Sequence, residues 1–285
     1  MNYEHCTLCP RQCGADRAAG QAGFCGCPDM ALVAKTMLHK WEEPALAGEG
    51  GSGAIFFGGC TLGCRYCQNA RISTAPTGQA VTSEQLRAMM ESLIAQGAEN
   101  IDLVTPTHFL PTIIPALTPK LPVPVVYNCG GYERAETLAA LEGLVDIYLP
   151  DMKYADSELA AALSGAPDYF LVAASAIREM VRQTGSVQWQ NGKVVKGVII
   201  RHLILHGQVE NSLKVLDWIG ETFAPGQVLV SLMRQFTPMG GLPAPLDRSI
   251  TEEEYQSVLS WMYLNGLEGF TQEQASASRE FVPDF

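Results

Sequence analysis

The run Gly58-Gly59-Cys60-Thr61-Leu62-Gly63-Cys64-Arg65-Tyr66-Cys67 carries cysteines in the spacing C-x3-C-x2-C. Thiolates this close on one loop can converge on one face of an iron–sulfur cube, because soft sulfur donors suit such clusters. The glycines let backbone approach an inorganic core. Three protein ligands leave one iron of a four-iron cube open, the feature that separates a reactive metal site from a closed structural one. A structural zinc site is the alternative for the same cysteines. Zinc needs a fourth ligand, and the next cysteine along the chain is Cys129, beyond the short spacing of zinc knuckles.

A second group precedes this loop: Cys6, Cys9, Cys13 and Cys25, with Cys27 close behind, spaced C-x2-C-x3-C-x11-C. So short and glycine-rich a segment has little apolar material for a core of its own, so the cysteines are expected to staple it around a metal. Zinc and a second cluster are both chemically reasonable, and small buried cysteines without metal are the bland alternative. The domain division read from this is a cysteine-rich metal-binding segment over residues 1–47 and a main domain over 48–285, entered through the linker Gly48-Glu49-Gly50-Gly51-Ser52-Gly53.

The cysteine loop leaves an apolar run, Ala54-Ile55-Phe56-Phe57, that reads as a buried strand. Beyond it strand and helix patterns alternate. Thr82-Ser83-Glu84-Gln85 resembles a capping box opening a helix that Gly97 closes, followed by strands at 101–104, 123–127 and 145–149. A helix is expected at 133–141, more at 158–163, 173–183, 212–223 and 251–265, and a strand at 228–232. Asn191-Gly192 marks a hairpin turn whose second arm runs on through Val198–Leu205. About six strands in βαβ alternation fall short of the eight of a closed barrel. The expected fold is α/β, an open partial (β/α)6 barrel.

At 285 residues and 47% hydrophobic, the chain fits one large domain with a small appendage and can bury a substantial core. A formal charge of −11 argues against nucleic acid as a partner, since phosphate-binding surfaces are normally basic. No basic-then-apolar leader and no apolar run of about eighteen residues is visible, so the sequence predicts a cytoplasmic protein without a membrane segment. Nine clustered cysteines in that setting point to metal ligation over disulfides.

In parallel α/β architectures the chemistry collects after the carboxyl ends of the strands. Polar or glycine-rich groups recur there: Cys60–Cys67, Thr105-Pro106-Thr107-His108, Asn128-Cys129-Gly130-Gly131, Asp151-Met152-Lys153, Arg201-His202 and Arg234-Gln235. Singly, Asp151 with Lys153 reads as well as a surface pair, the histidines as structural residues, and Cys129 as a small buried one. Their recurrence at successive strand ends is the stronger signal.

The C-x3-C-x2-C motif with Tyr66 before its last cysteine resembles the signature of the radical S-adenosylmethionine (SAM) superfamily. The likeness widens to nearly the whole chain through Asn100–His108, Tyr127–Glu133, Asp146–Tyr154, Ile200–Leu203 and the opening Cys6–Arg17, which look like the PflX-type homologues of the pyruvate formate-lyase activating enzyme. The resemblance implies a 4Fe-4S cluster on Cys60, Cys64 and Cys67, whose open iron chelates the methionine end of SAM. Reductive cleavage then yields methionine and a 5′-deoxyadenosyl radical. It places Tyr66 beside adenine and Asp151, Lys153, Asn128, Cys129 and Arg201 near SAM, with a monovalent cation at some of them. Where the activating enzymes carry Gly-Gly-Glu against SAM's amino group, this chain has Thr105-Pro106-Thr107-His108, and Thr105, Thr107 and His108 take that place.

The function read from this is a radical SAM enzyme that abstracts hydrogen from a substrate, with a glycyl-radical enzyme as protein substrate and flavodoxin or ferredoxin as electron donor implied by resemblance. Radical modification of a small molecule or another peptide is a second enzyme reading. A non-catalytic cluster carrier is a third, separated from both by whether SAM is cleaved.

Overall fold

A computed structural model describes residues 1–238, 242 and 244–272; of the domain expected over 48–285, residues 239–241, 243 and 273–285 lie outside the described residues. The strands are β1 (Ala31–His39), β2 (Ser52–Phe57), β3 (Gln79–Val81), β4 (Asn100–Val104), β5 (Val125–Cys129), β6 (Ile147–Pro150), β7 (Gln188–Gln190), β8 (Lys193–Leu203), β9 (Leu229–Met233) and β10 (Gly269–Thr271). One sheet runs in the order β10-β9-β8-β6-β5-β4-β2-β1-β3. From β2 through β4, β5, β6, β8 and β9 to β10 every pairing is parallel. This is the expected partial barrel of central parallel strands, extended by the short β10.

The two faces of the sheet are sorted by the side-chain period of two. Leu103, Tyr127, Tyr148, Val198, Ile200 and Val230 pack into one large core with helical residues such as Leu86, Met90, Ile177, Met180, Leu216 and Ile219. Val126, Ile147, Leu149, Ile199 and Leu229 point the other way and close around Ala45 and Leu46. Those two residues sit on the short helix Pro44–Ala47, so the chain between β1 and β2 fills the lower interior of the barrel. Asn100 Nδ2 donates to the Leu46 carbonyl at 2.8 Å and fastens the plug to β4.

Local signals act as the residue types require. Thr82 and Gln85 exchange both bonds of a capping box at the start of the helix Ser83–Ala95. Asn191 and Gly192, at φ 50° and 75°, turn β7 into β8, the left-handed pair of a tight hairpin. Over 133–141 the chain makes only a short helix, Ala135–Leu138, and a 3-10 turn, Ala139–Leu141.

Elements assigned by sequence to the N-terminal segment enter the main sheet. β1 pairs antiparallel with β2 and with β3, and Ser52 and Gly53 of the expected linker belong to β2. Among the described residues no single helix is long and apolar enough to cross a membrane.

Candidate active site at the carboxyl ends of the strands

β2 ends at Phe57 and delivers the chain into the cysteine loop. Gly59 (φ 77°) and Gly63 (φ 72°) make its turns. At Gly59 a Cβ would lie 2.3 Å from Cys27 Sγ, so only glycine lets the N-terminal segment approach. All the described cysteines are free thiols. Each loop sulfur is supplied with hydrogen bonding: Cys60 from the Leu62 N–H at 3.4 Å, Cys64 from Ser164 Oγ at 3.2 Å and Cys67 from Ser73 Oγ at 3.3 Å. Burial pushes the Cys60 thiol up to about 12 and raises Cys64 as well, so a metal must displace their protons. Among the described residues no three His, Cys, Asp or Glu side chains stand together as a single ion requires. Three soft donors on one glycine-turned loop, their sulfurs each supplied with a hydrogen bond, fit a cluster.

The predicted strand-end residues Asn128, Asp151, Lys153 and Arg201 form one network on the inner face. Arg201 Nε donates to Asp151 Oδ1 at 2.8 Å and its Nη2 to Asn128 Oδ1 at 2.6 Å. Lys153 Nζ donates to Asp151 Oδ2 at 2.5 Å. Burial acts to raise Asp151, but Arg201 and Lys153 outweigh it and hold the carboxyl below its usual range. The Lys153 ammonium lies near both Asp151 and Cys64, which outweigh burial and raise it. This pairs the charge network with the cysteine loop at one end of the barrel.

Glu42, Glu43 and Asp102, which sequence reasoning passed over, complete the network from below. Asn128 Nδ2 lies 3.3 Å from both Glu42 Oε2 and Asp102 Oδ2, and Arg201 Nη1 is 3.8 Å from Glu42 Oε1. Burial, with Glu42 beside it, pushes Asp102 well above the carboxylate range. Glu43 is raised to about 7 by burial and by Glu42. A charge inside the apolar strand Ile101-Asp102-Leu103 was the available signal for Asp102. Nothing local marked the two glutamates.

Other predicted residues are held apart from this network. Thr105, at φ 60°, donates its N–H to the Asn128 carbonyl at 2.8 Å. Thr107 Oγ1 donates to Glu133 Oε1 at 2.8 Å and accepts from the Tyr127 hydroxyl at 3.0 Å. Burial raises the Glu133 carboxyl to about 8. His108 Nε2 lies 2.8 Å from the Gly58 carbonyl, linking the loop after β4 to the cysteine loop, and burial lowers the ring to about 4. Cys129 is buried in the larger core, opposite in alternation to Asn128. Tyr66 packs edge-on to Tyr154 and Phe236. Arg234 bonds Glu252 at 2.7 Å, and His202 is held between the Met152 carbonyl and Ser212.

The N-terminal segment lies against this mouth through two arginines. Arg11 donates to the carbonyls of Thr61 and Leu62 on the cysteine loop and to those of Ser164 and Gly165, at 2.6–3.1 Å. Its guanidinium lies 4.1 Å over the Phe24 ring. Arg17 is 2% exposed and donates to the carbonyls of His108, Cys27 and Pro28. Cys6 and Cys9 are buried and Cys13 is exposed. Cys25 and Cys27 are hydrogen-bonded, which lowers Cys25 to about 6.

A protein-family profile described as a 4Fe-4S single cluster domain matches residues 46–108, the stretch that holds Cys60, Cys64 and Cys67. A curated relative, an uncharacterized protein of Methanocaldococcus jannaschii, is 27% identical over 271 residues, 90% of this chain and 74% of its own. Among solved structures, a radical SAM methyltransferase from Sphaerobacter thermophilus superposes with a TM-score of 0.54 at 12% identity, over 78% of this chain and 66% of that one. SuiB of Streptococcus suis, bound to its precursor peptide SuiA, gives 0.52 at 14% identity, over 75% of this chain. This chain spans 47% of SuiB's length. The fold is thus the partial barrel of radical SAM proteins.

Proposed function

We propose that this chain is a radical SAM enzyme. The observation that carries the reading is the meeting, at one end of the barrel, of the Cys60–Cys67 loop and the charge network Asp151–Lys153–Arg201–Asn128. Cys60, Cys64 and Cys67 would hold a 4Fe-4S cluster, and the network would receive the zwitterionic end of SAM, carboxylate toward Lys153 and Arg201, ammonium toward Asp151. When bound and reduced, the cluster supplies the electron that cleaves SAM to a 5′-deoxyadenosyl radical. Arg11 and His108 hold the loop in place, and Ala45 and Leu46 fill the apolar interior below it.

For the substrate we propose the backbone glycine of a glycyl-radical enzyme, with a flavodoxin or ferredoxin as donor, on the strength of the sequence resemblance to activating enzymes. The second reading is peptide modification, favoured by the fold shared with SuiB, a protein solved with a precursor peptide. Anaerobically reconstituted chain, incubated with dithionite and SAM, is expected to release 5′-deoxyadenosine, and replacing any one of Cys60, Cys64 or Cys67 with alanine to reduce release to background. Cluster assembly without SAM cleavage would leave the carrier reading standing instead. Candidate glycyl-radical proteins added to the assay, with the glycyl radical followed by EPR, test the substrate.

A further inference from the structure

Among the hydrogen bonds to the loop sulfurs, the one on Cys64 is contested. Ser164, at the end of the helix Ser157–Ser164, donates from Oγ to Cys64 Sγ at 3.2 Å. The same Oγ lies 2.8 Å from the Tyr154 hydroxyl, and Tyr154 donates to the Tyr66 hydroxyl at 2.8 Å. Ser164, Tyr154 and Tyr66 are 4%, 0% and 5% exposed, so these hydroxyls cannot turn to solvent for partners.

A serine hydroxyl has one proton to give. While Tyr154 gives its own proton to Tyr66, its oxygen competes with Cys64 Sγ for the proton of Ser164. If Tyr154 rotates its proton toward Ser164, the Ser164 proton is left with Cys64 alone. Ser73 on Cys67 and the Leu62 N–H on Cys60 have no such rival hydroxyl among their described bonds.

We propose that Ser164 and Tyr154 form a hydroxyl switch that sets the reduction potential of a cluster held by Cys60, Cys64 and Cys67, with Tyr66 as its input end. The inference rests on the cluster reading above. A hydrogen bond to a cluster sulfur stabilises the additional negative charge of the reduced form and so raises the potential. A group that engages Tyr66, the residue preceding Cys67, changes what Tyr154 can donate to and thereby what Cys64 receives. The Tyr66 hydroxyl and Cys64 Sγ are then linked by three hydrogen bonds, without any movement of backbone.

The test is the midpoint potential of the reconstituted full-length chain, read by EPR-monitored redox titration. Ser164→Ala removes the donor and is expected to shift the potential to more negative values. Tyr154→Phe removes the competing oxygen and is expected to shift it the opposite way. The double variant is expected to lose the Tyr154→Phe shift and to lie at or below the Ser164→Ala potential, because the tyrosine opposes the Cys64 bond through the serine while its own hydroxyl also reaches Cys64. An unchanged or more negative potential in Tyr154→Phe overturns the proposal, and so does a double variant that keeps the Tyr154→Phe shift. Should Ser164→Ala fail to load, Tyr154→Phe decides alone by the same criterion. Failure of the wild-type chain to assemble any cluster would refute the site reading; wild type that loads and cleaves SAM, with all potentials equal, would refute the switch only.

Discussion

Arg17 Nη1 donates to the carbonyl of His108 at 2.6 Å, joining the N-terminal segment to the turn that follows β4 across 91 residues of sequence. His108 in turn meets Gly58 at the start of the cysteine loop, so one buried guanidinium reaches that loop through a single ring.

Arg17 faces carbonyls and the rings of Tyr3 and Phe109, at 4.4 and 5.4 Å. Arg17→Ala would leave the carbonyls of His108, Cys27 and Pro28 short of a donor, at a cost of roughly 2–4 kcal/mol. Arg17→Lys is expected to recover only part of it, because an ammonium cannot reproduce the fork. Denaturant unfolding of the three proteins checks this; an Arg17→Ala variant as stable as wild type would show that the segment is not anchored here.

Asp151 stands between Lys153 and Arg201. Asp151→Asn is expected to weaken SAM binding about tenfold or more, roughly 1.4 kcal/mol, while the cluster still assembles on the loop. An anaerobic SAM titration, with iron content measured on the same samples, separates the two effects. Unchanged affinity would remove Asp151 from the SAM site.

Glu43 supplies a pH dependence. Its carboxyl, raised to about 7 by burial and by Glu42, binds a proton more tightly in the folded chain than in the unfolded one, where about 4.3 is usual. Stability from this group is therefore present below the unfolded value and is lost as pH rises through about 7. Glu43→Gln is expected to flatten that part of the melting profile and to raise the melting temperature near pH 8 relative to wild type. Parallel profiles between about pH 4.5 and 8 would show that Glu43 is not the group responsible.

Cys6, Cys9, Cys13 and Cys25 carry the remaining metal expectation, a zinc staple or a second cluster, although among the described residues no three such side chains stand together as a single ion requires. Metal analysis of anaerobically purified protein is expected to give about four irons per chain, and one zinc only where the metal itself draws these thiols together. About eight irons would mean a second cluster, and about four irons with no zinc would leave these thiols unligated.

What the sequence revealed was mostly local. Thr82 with Gln85, Asn191 with Gly192, and the C-x3-C-x2-C loop are contacts between near neighbours, so residue type and spacing suffice to read them. β1 was hidden because cysteine density drew its residues into the N-terminal segment, and its pairing with β2 is a long-range choice of the sheet. Ser164 reaches Cys64 across 100 residues and Asn128 meets Glu42 across 86. Neither serine nor an acidic pair in a turn announces such a partner. The resemblance placed Asn128, Cys129 and Arg201 together near SAM, whereas the alternation of β5 turns Cys129 away from Asn128 into the larger core.

With Ala45 and Leu46 seated among Val126, Ile147, Leu149, Ile199 and Leu229, the barrel is a blind well, stoppered at its foot by its own chain. On the proposed reading, SAM and its substrate would therefore share one way in and out, at the carboxyl ends of the strands, since among the described residues the other end is filled by Ala45 and Leu46.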